Sequence, residues 1–252
     1  MANDSDRPEI GRGPLPKIEG VDDFQLSSMR ERLGDTFDPV PVPDVPTPDP
    51  ALDCSVAELR RLREAIAGLA HSDVELGDIA DRLAEVADLL EPRVPEPARR
   101  LEAMWTGAGS RRANPVGGPE NPIAPPVRFH GCDDGSVTAE VTLGLAYQGP
   151  PGCVHGGISA LIIDHIMGFA NHWGGRYGMT AHYEIDYRSP TPLLRPLTFR
   201  SWVDEVDGRK TWTNATIHAG ELLCVEARGL FLEATVAIPG RPDQRSTVGD
   251  GA

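Results

Sequence analysis

The sequence predicts an α+β fold in which an antiparallel β-sheet wraps around one long central helix. Six extended segments lie between residues 127 and 234, several of them alternating apolar and polar residues with the period of two that marks strands covered on one face. Turn pairs such as Asp207-Gly208 and Ala219-Gly220 separate neighbouring segments by only a few residues, which favours hairpins over crossovers. The stretch 156–173 (GGISALIIDHIMGFANHW) is apolar in its middle on nearly every face. A helix of that kind has to be buried all round, and a sheet folded about it is the simplest arrangement that does so.

Taken in order, residues 1–52 form an acidic arm with 11 acidic and 5 basic residues up to position 50 and prolines at 39, 41, 43, 46, 48 and 50. So little aliphatic material cannot offset its ordering entropy, so disorder is expected there, and spaced prolines favour extended polyproline conformations. Residues 53–119 hold a predicted helical hairpin and linker. Val56, Leu59, Leu62, Ile66 and Leu69 share one helical stripe, and Leu76, Ile79, Leu83, Val86 and Leu90 share another, with Ser72 or Asp73 available as its N-cap. Such helices pack on each other, on the main domain or on a partner chain. A short helix is expected around Pro97 to Trp105 before the Pro- and Gly-rich approach to residue 126. The main domain spans 120–238, with strands expected at Val127–Gly131, Ser136–Leu143, Met179–Arg188, Leu197–Val206, Lys210–His218 and Leu222–Ala234. Residues 239–252 form a disordered tail.

Charge narrows the partners. A formal net charge of -14 disfavours nucleic acid, whose phosphates call for clustered Lys and Arg, and disfavours anionic membrane surfaces as well. No apolar run reaches the roughly 18 residues of a membrane span, and the start MANDSDRPEIG lacks the pattern of a signal peptide, so a cytoplasmic location is expected. The four cysteines (54, 132, 153, 224) form no C-x-x-C pair and read as buried free thiols rather than metal ligands.

His155-Gly156-Gly157 immediately precedes the central helix. Its amides lie among the unpaired donors of a helix N-terminus, a place suited to a developing oxyanion and equally compatible with a simple turn. Asp164 is the only carboxylate of that helix. A buried carboxylate needs a partner or a cavity, so Asp164 is either a structural acceptor or a nucleophile or general base. His155 and Asp164 are nine residues apart. That is about 13 Å along a helix, so a site using both requires two copies of the chain about a two-fold axis. His165 and His172 share a helical face but lack a third ligand at a recognised zinc spacing, so no metal is expected. Arg188, Arg209 and Lys210 stand at predicted strand ends, either solvated or, against the acidic background, available to an anionic ligand.

The run GCVHGGISALIIDHIMGFANHWGGRYGMT from Gly152 to Thr180 resembles the PaaI-like hotdog-fold acyl-CoA thioesterases, in particular the branch that includes the human thioesterase superfamily members four and five. The ordered set comprises His-Gly-Gly, an Asp nine residues on, a Gly-Gly after the helix and Met-Thr with the Thr sixteen residues after the Asp. Tyr187-Arg188-Ser189-Pro190-Thr191-Pro192 and Val206-Asp207-Gly208-Arg209-Lys210 extend it. The resemblance covers roughly residues 120–236. It implies hydrolysis of an acyl-CoA thioester in a homodimer or dimer of dimers, with coenzyme A entering as part of the substrate and no resident cofactor.

By the same resemblance Asp164 is the nucleophile or base, Gly156 and His155 of the opposite subunit polarise the carbonyl, and Thr180 bonds the carboxylate or the water. Gly157, Arg188, Arg209 and Lys210 are the expected coenzyme A contacts. Some relatives have an Asn a few residues before the His, where this chain has Gly149 and Pro150. Strict alternation also puts Thr180 on the polar face with His182, Glu184 and Asp186, away from the helix, unless a bend at Gly178 or the strand start turns it inward. A non-catalytic acyl-CoA-binding protein and a hotdog hydratase or dehydratase are the alternative readings. Asp164 in the middle of the helix argues against both.

Overall fold

The computed structural model describes residues 40–41, 49–69, 73–100, 112–125, 127–176 and 178–233. Most of the acidic arm, all of the 239–252 tail and most of the expected 97–105 helix lie outside the described residues; residues 97–100 are helical.

Two tight hairpins organise the sheet. Strand β5 (Pro196–Asp207) turns into β6 (Lys210–Ala219) at Gly208, and β6 turns into β7 (Leu222–Leu232) at Gly220. Both glycines have left-handed φ, at 54° and 60°, where a side chain would be strained. With β2 (Arg128–Gly131), β3 (Val137–Thr142) and β4 (Met179–Tyr187), the antiparallel order is β2-β3-β5-β6-β7-β4. The strand bounds lie within two residues of those read from the sequence. A two-residue strand, β1 (Val40–Pro41), adds itself outside β2 by pairing with His130 and Gly131. The sequence reading missed it, because a pair of residues in a proline run carries no alternation.

Helix α3 (Gly156–Trp173) has the bounds expected and lies across the sheet's inner face. Ile162, Ile163, Ile166, Met167 and Ala170 are fully buried against Leu197, Phe199, Ile217 and Val225. Each large apolar side chain so enclosed contributes about 1.5–3 kcal/mol. Trp173 closes the last turn as a core residue: its indole N–H donates to Cys132 O at 2.9 Å, and its ring occupies the space a Cβ on Gly131 would need. This is the hotdog arrangement, an antiparallel sheet wrapped on one helix.

The helix is not buried all round, contrary to expectation. Gly157 is exposed, and Leu161, Asp164, His165, Gly168 and His172 on the same face are only partly covered. Seven of the nine residues of β4, an edge strand of this sheet, are exposed. The apolar composition of α3 therefore exceeds what one copy of the sheet covers.

Of the arrangements open to the two N-terminal helices, packing on each other, on the main domain or on a partner chain, the first helix takes the second. Helix α1 (Pro50–Gly68) docks on the main domain, whereas α2 (Gly77–Leu90) buries none of its residues. Helix α1 starts earlier than predicted, inside the expected arm. Asp49 is its N-cap, with Oδ1 accepting from the amides of Ala51 and Leu52 at 2.9 and 3.2 Å, and Pro50 fits the first turn where no amide partner is needed. Helix α2 begins after Leu76, which makes no side-chain cap bond, rather than at Ser72 or Asp73. Buried Arg112 ties α1 to the main domain by pairing with both Asp53 and Glu120. Among the cysteines, all free, only Cys224 is buried; Cys54 is exposed and Cys132 and Cys153 are partly covered.

Candidate active site

Asp164 and Thr180 meet. The Thr180 hydroxyl donates to Asp164 Oδ1 at 2.7 Å, across from helix to sheet. The inward turn comes from a β-bulge. Thr180 pairs with Phe231 and His182 with Leu230, so Ala181 is an extra residue that shifts the alternation by one. Phe231 faces the core, and so does Thr180; His182, Glu184 and Asp186 stay on the outer face, while Tyr183, Ile185 and Tyr187 face inward opposite Gly229, Ala227 and Val225.

His155 is the N-cap of α3, and its role there fixes its chemistry. Nδ1 accepts from the Gly157 amide at 3.0 Å. A neutral ring in that position carries its proton on Nε2, so the far edge of the imidazole is a donor. The Gly157 amide is thereby committed to His155, while the Gly156 amide has no hydrogen-bond partner among the described residues. The Tyr187 ring lies against Gly156, with its hydroxyl donating to Gly156 O at 2.9 Å. Tyr187 opens one of the motifs that carry the family resemblance, but the sequence reading gave it no place in the site. Its place as the last inward residue of β4 was the available signal.

The loop before His155 is a small folded unit. Gly149 N donates to Cys153 O, Val154 N to Thr191 O and His155 N to Tyr147 O, at 2.8–2.9 Å. A Cβ on Gly149 would lie 2.7 Å from His155 Cα. No side chain fits there, so the Asn that some relatives carry near this point has no counterpart at Gly149.

Asp164 and His155 belong to separate turns of α3, and no described contact joins them. The cationic candidates divide between the two ends of β4. Arg188 follows Tyr187 and is paired with Asp186 at 3.0 Å and, through Nε, with Glu226 at 2.8 Å, which raise its pKa further. Lys210 sits at the Thr180 end, since it pairs with Leu232, which pairs with Met179; its Nζ is 3.9 Å from Asp207. Arg209 donates to Glu233 O at 2.8 Å. His165 packs edge-on against Phe129 and Phe169, with Asn114 Nδ2 at 3.4 Å. Burial pushes its pKa down to about 4, against the opposing pull of Asp164. Among the described residues no group of His, Cys, Asp and Glu is arranged to hold a metal ion, and no helix is long and apolar enough to cross a membrane.

Comparison with known proteins bears on this arrangement. The family model described as thioesterase superfamily matches residues 151–226, which contain His155, Asp164 and Thr180. Acyl-coenzyme A thioesterase THEM4 of Rattus norvegicus is 39% identical over 92 residues, which are 36% of this chain and 40% of that protein. The THEM4 of Xenopus laevis is 36% identical over 88 residues, 34% of this chain and 40% of its own length. The match thus spans about two fifths of these curated relatives. A crystal structure of a thioesterase superfamily protein is 42% identical, covers 79% of this chain and 98% of its own, and superposes with a TM-score of 0.68. The chain belongs to the thioesterase superfamily.

Proposed function

We propose that the protein hydrolyses an acyl-CoA thioester to a carboxylic acid and coenzyme A, at a site completed by a second copy of the chain. The observation that carries this reading is the Thr180–Asp164 hydrogen bond in a helix–sheet groove that one copy leaves half covered. Thr180 occupies Oδ1, so Oδ2 is the oxygen left to act. In the general-base form, Oδ2 takes a proton from water as the hydroxide oxygen bonds to the carbonyl carbon. The carbonyl electrons move to oxygen, where the Gly156 N–H and the His155 Nε2–H of the other copy hold them. When the carbonyl re-forms, the C–S bond breaks and the departing thiolate takes the proton from Asp164. In the nucleophilic form the same oxygen bonds to the carbonyl carbon, the C–S bond breaks and the thiolate departs; water then cleaves the anhydride, giving back the Asp164 carboxylate and supplying the proton that the thiolate takes up.

The edge position of β4 supports the shared site. Antiparallel pairing of two β4 strands about a two-fold axis sets the Thr180 end of one beside the Tyr187 end of the other, and Tyr187 touches Gly156. Asp164 of one copy then faces His155 and Gly156 of its partner. Arg188 from one copy and Arg209 and Lys210 from the other flank the same site as candidates for the phosphates of coenzyme A, with Gly157 beside them. Coenzyme A enters as substrate, the reading requires no metal or resident cofactor, and the cytoplasm, where acyl-CoA is available, is the proposed location. A homodimer, alone or paired into a tetramer, is the proposed form.

The test is thiol release from acyl-CoAs of graded chain length. Asp164→Asn is expected to lower kcat by about 100-fold or more while acyl-CoA binding changes little, because an amide cannot take the proton. Equal turnover by the variant would sink the reading.

A further inference from the structure

We infer that helix α1 is a brace for the loop that presents His155, and that Arg63 and Tyr147 are positioning residues for the carbonyl side of the site; the catalytic consequence rests on the function proposed above. The brace can be followed atom by atom. Arg63 Nη1 donates to the carbonyls of Pro122 and Ile123 at 3.0 and 3.2 Å, and Nη2 donates to the Tyr147 hydroxyl at 2.7 Å. The guanidinium also lies over the Tyr147 ring, 4.6 Å from its centroid. Tyr147 is buried, and its hydroxyl in turn donates to Ile123 O at 3.2 Å. Burial raises the phenol's pKa against the pull of Arg63, so the ring keeps the proton it donates.

From Tyr147 the connection reaches the site through the main chain. Its carbonyl accepts the His155 amide at 2.9 Å, and two residues on Gly149 lies against His155 Cα. The short turn Leu145–Tyr147 lies against the same helix at its other end: the Glu64 carboxylate fills the space a Cβ on Gly144 would need, and the Leu145 side chain lies beside Gly68, 3.8 Å from where a Cβ there would stand. Arg60 anchors the helix to the neighbouring loop by donating to Gly118 O at 2.7 Å and Asn121 O at 2.8 Å. The backbone of His155 is thus fixed by a helix more than eighty residues earlier in the chain. Its ring depends on that backbone, since the Nδ1 bond to Gly157 forms only when the N-cap geometry is held.

The test uses the full chain with Tyr147→Phe, which removes only the hydroxyl, and Arg63→Gln. Arg61→Ala, on the exposed face of the same helix, is the control. Two readouts are taken: acyl-CoA turnover, and the ring-nitrogen NMR signals of His155, assigned by their loss in His155→Ala. The expected result is a drop in kcat of about tenfold with KM within about twofold, as when a group that stabilises the oxyanion is displaced while the substrate's other contacts are kept. The His155 signals should also move from a single Nε2-protonated form to a mixture, while Arg61→Ala behaves as wild type. Unchanged kcat and unchanged His155 signals in both folded variants overturn the brace. So does a loss of activity that merely follows a smaller folded fraction, with His155 normal in the molecules that fold. If the wild type releases thiol from no acyl-CoA, the proposed function fails, and the His155 signals alone still decide whether α1 holds the loop.

Discussion

His165, on the partly covered face of α3, packs against aromatic rings and still reports on pH. Its ring packs edge-on against the stacked pair Phe129 and Phe169, and its pKa falls from 6.5 to about 4 because burial disfavours the charged form. The unfolded chain therefore takes up this proton first as pH falls. Stability contributed by the neutral ring is present above pH 6.5, is lost progressively down to about pH 4 and is constant below, a change of about 3 kcal/mol in all. Urea unfolding near pH 7.5 and pH 4.5 should show a larger loss for the wild type than for His165→Gln; equal losses would remove the assignment. Asp164 beside it was legible as a chemical residue because a carboxylate in an apolar helix is costly without a purpose. Thr180 was legible only through the family resemblance. Its inward turn depends on the extra residue Ala181, and a bulge leaves no mark in an alternation until the partner strand is known.

At the scale of elements, α3 and the six main strands could be read closely, because each is bounded by a local chemical signal: His155 before the helix, Gly208 and Gly220 between strands. Helix α1 was found but its place was not. The apolar stripe of this helix marks it as amphipathic, but nothing in the sequence shows that Arg60 and Arg63 have as partners main-chain carbonyls some sixty residues away and the hydroxyl of Tyr147. Its start was also misplaced, since Asp49 falls in a run of prolines and acids that reads as disordered. Asp49→Ala leaves two amides of the first turn without their acceptor and is expected to cost about 1 kcal/mol. A urea midpoint unchanged in that variant would mean that the cap contributes nothing. Deleting residues 1–50, which a fully disordered arm would permit, removes this cap and the β1 pairing with β2 together.

For the whole molecule, the decisive fact is that His155 caps α3 while Asp164 lies on a later turn of the same helix, so the proposed function needs the two from different copies. Separately inactivated chains should then complement each other. Refolding Asp164→Asn together with His155→Ala in equal amounts puts half the pairs in mixed form, each with one intact site, so about a quarter of wild-type activity should return. No recovery after proven exchange of subunits would show that the two residues do not share a site across chains. The same geometry has a consequence for inheritance. Under the proposed shared site, a chain carrying both defects would contribute a broken half to each site it joins, so every wild-type copy it pairs with would be silenced. A defect of that kind would be dominant, although an intact copy of the gene is still expressed.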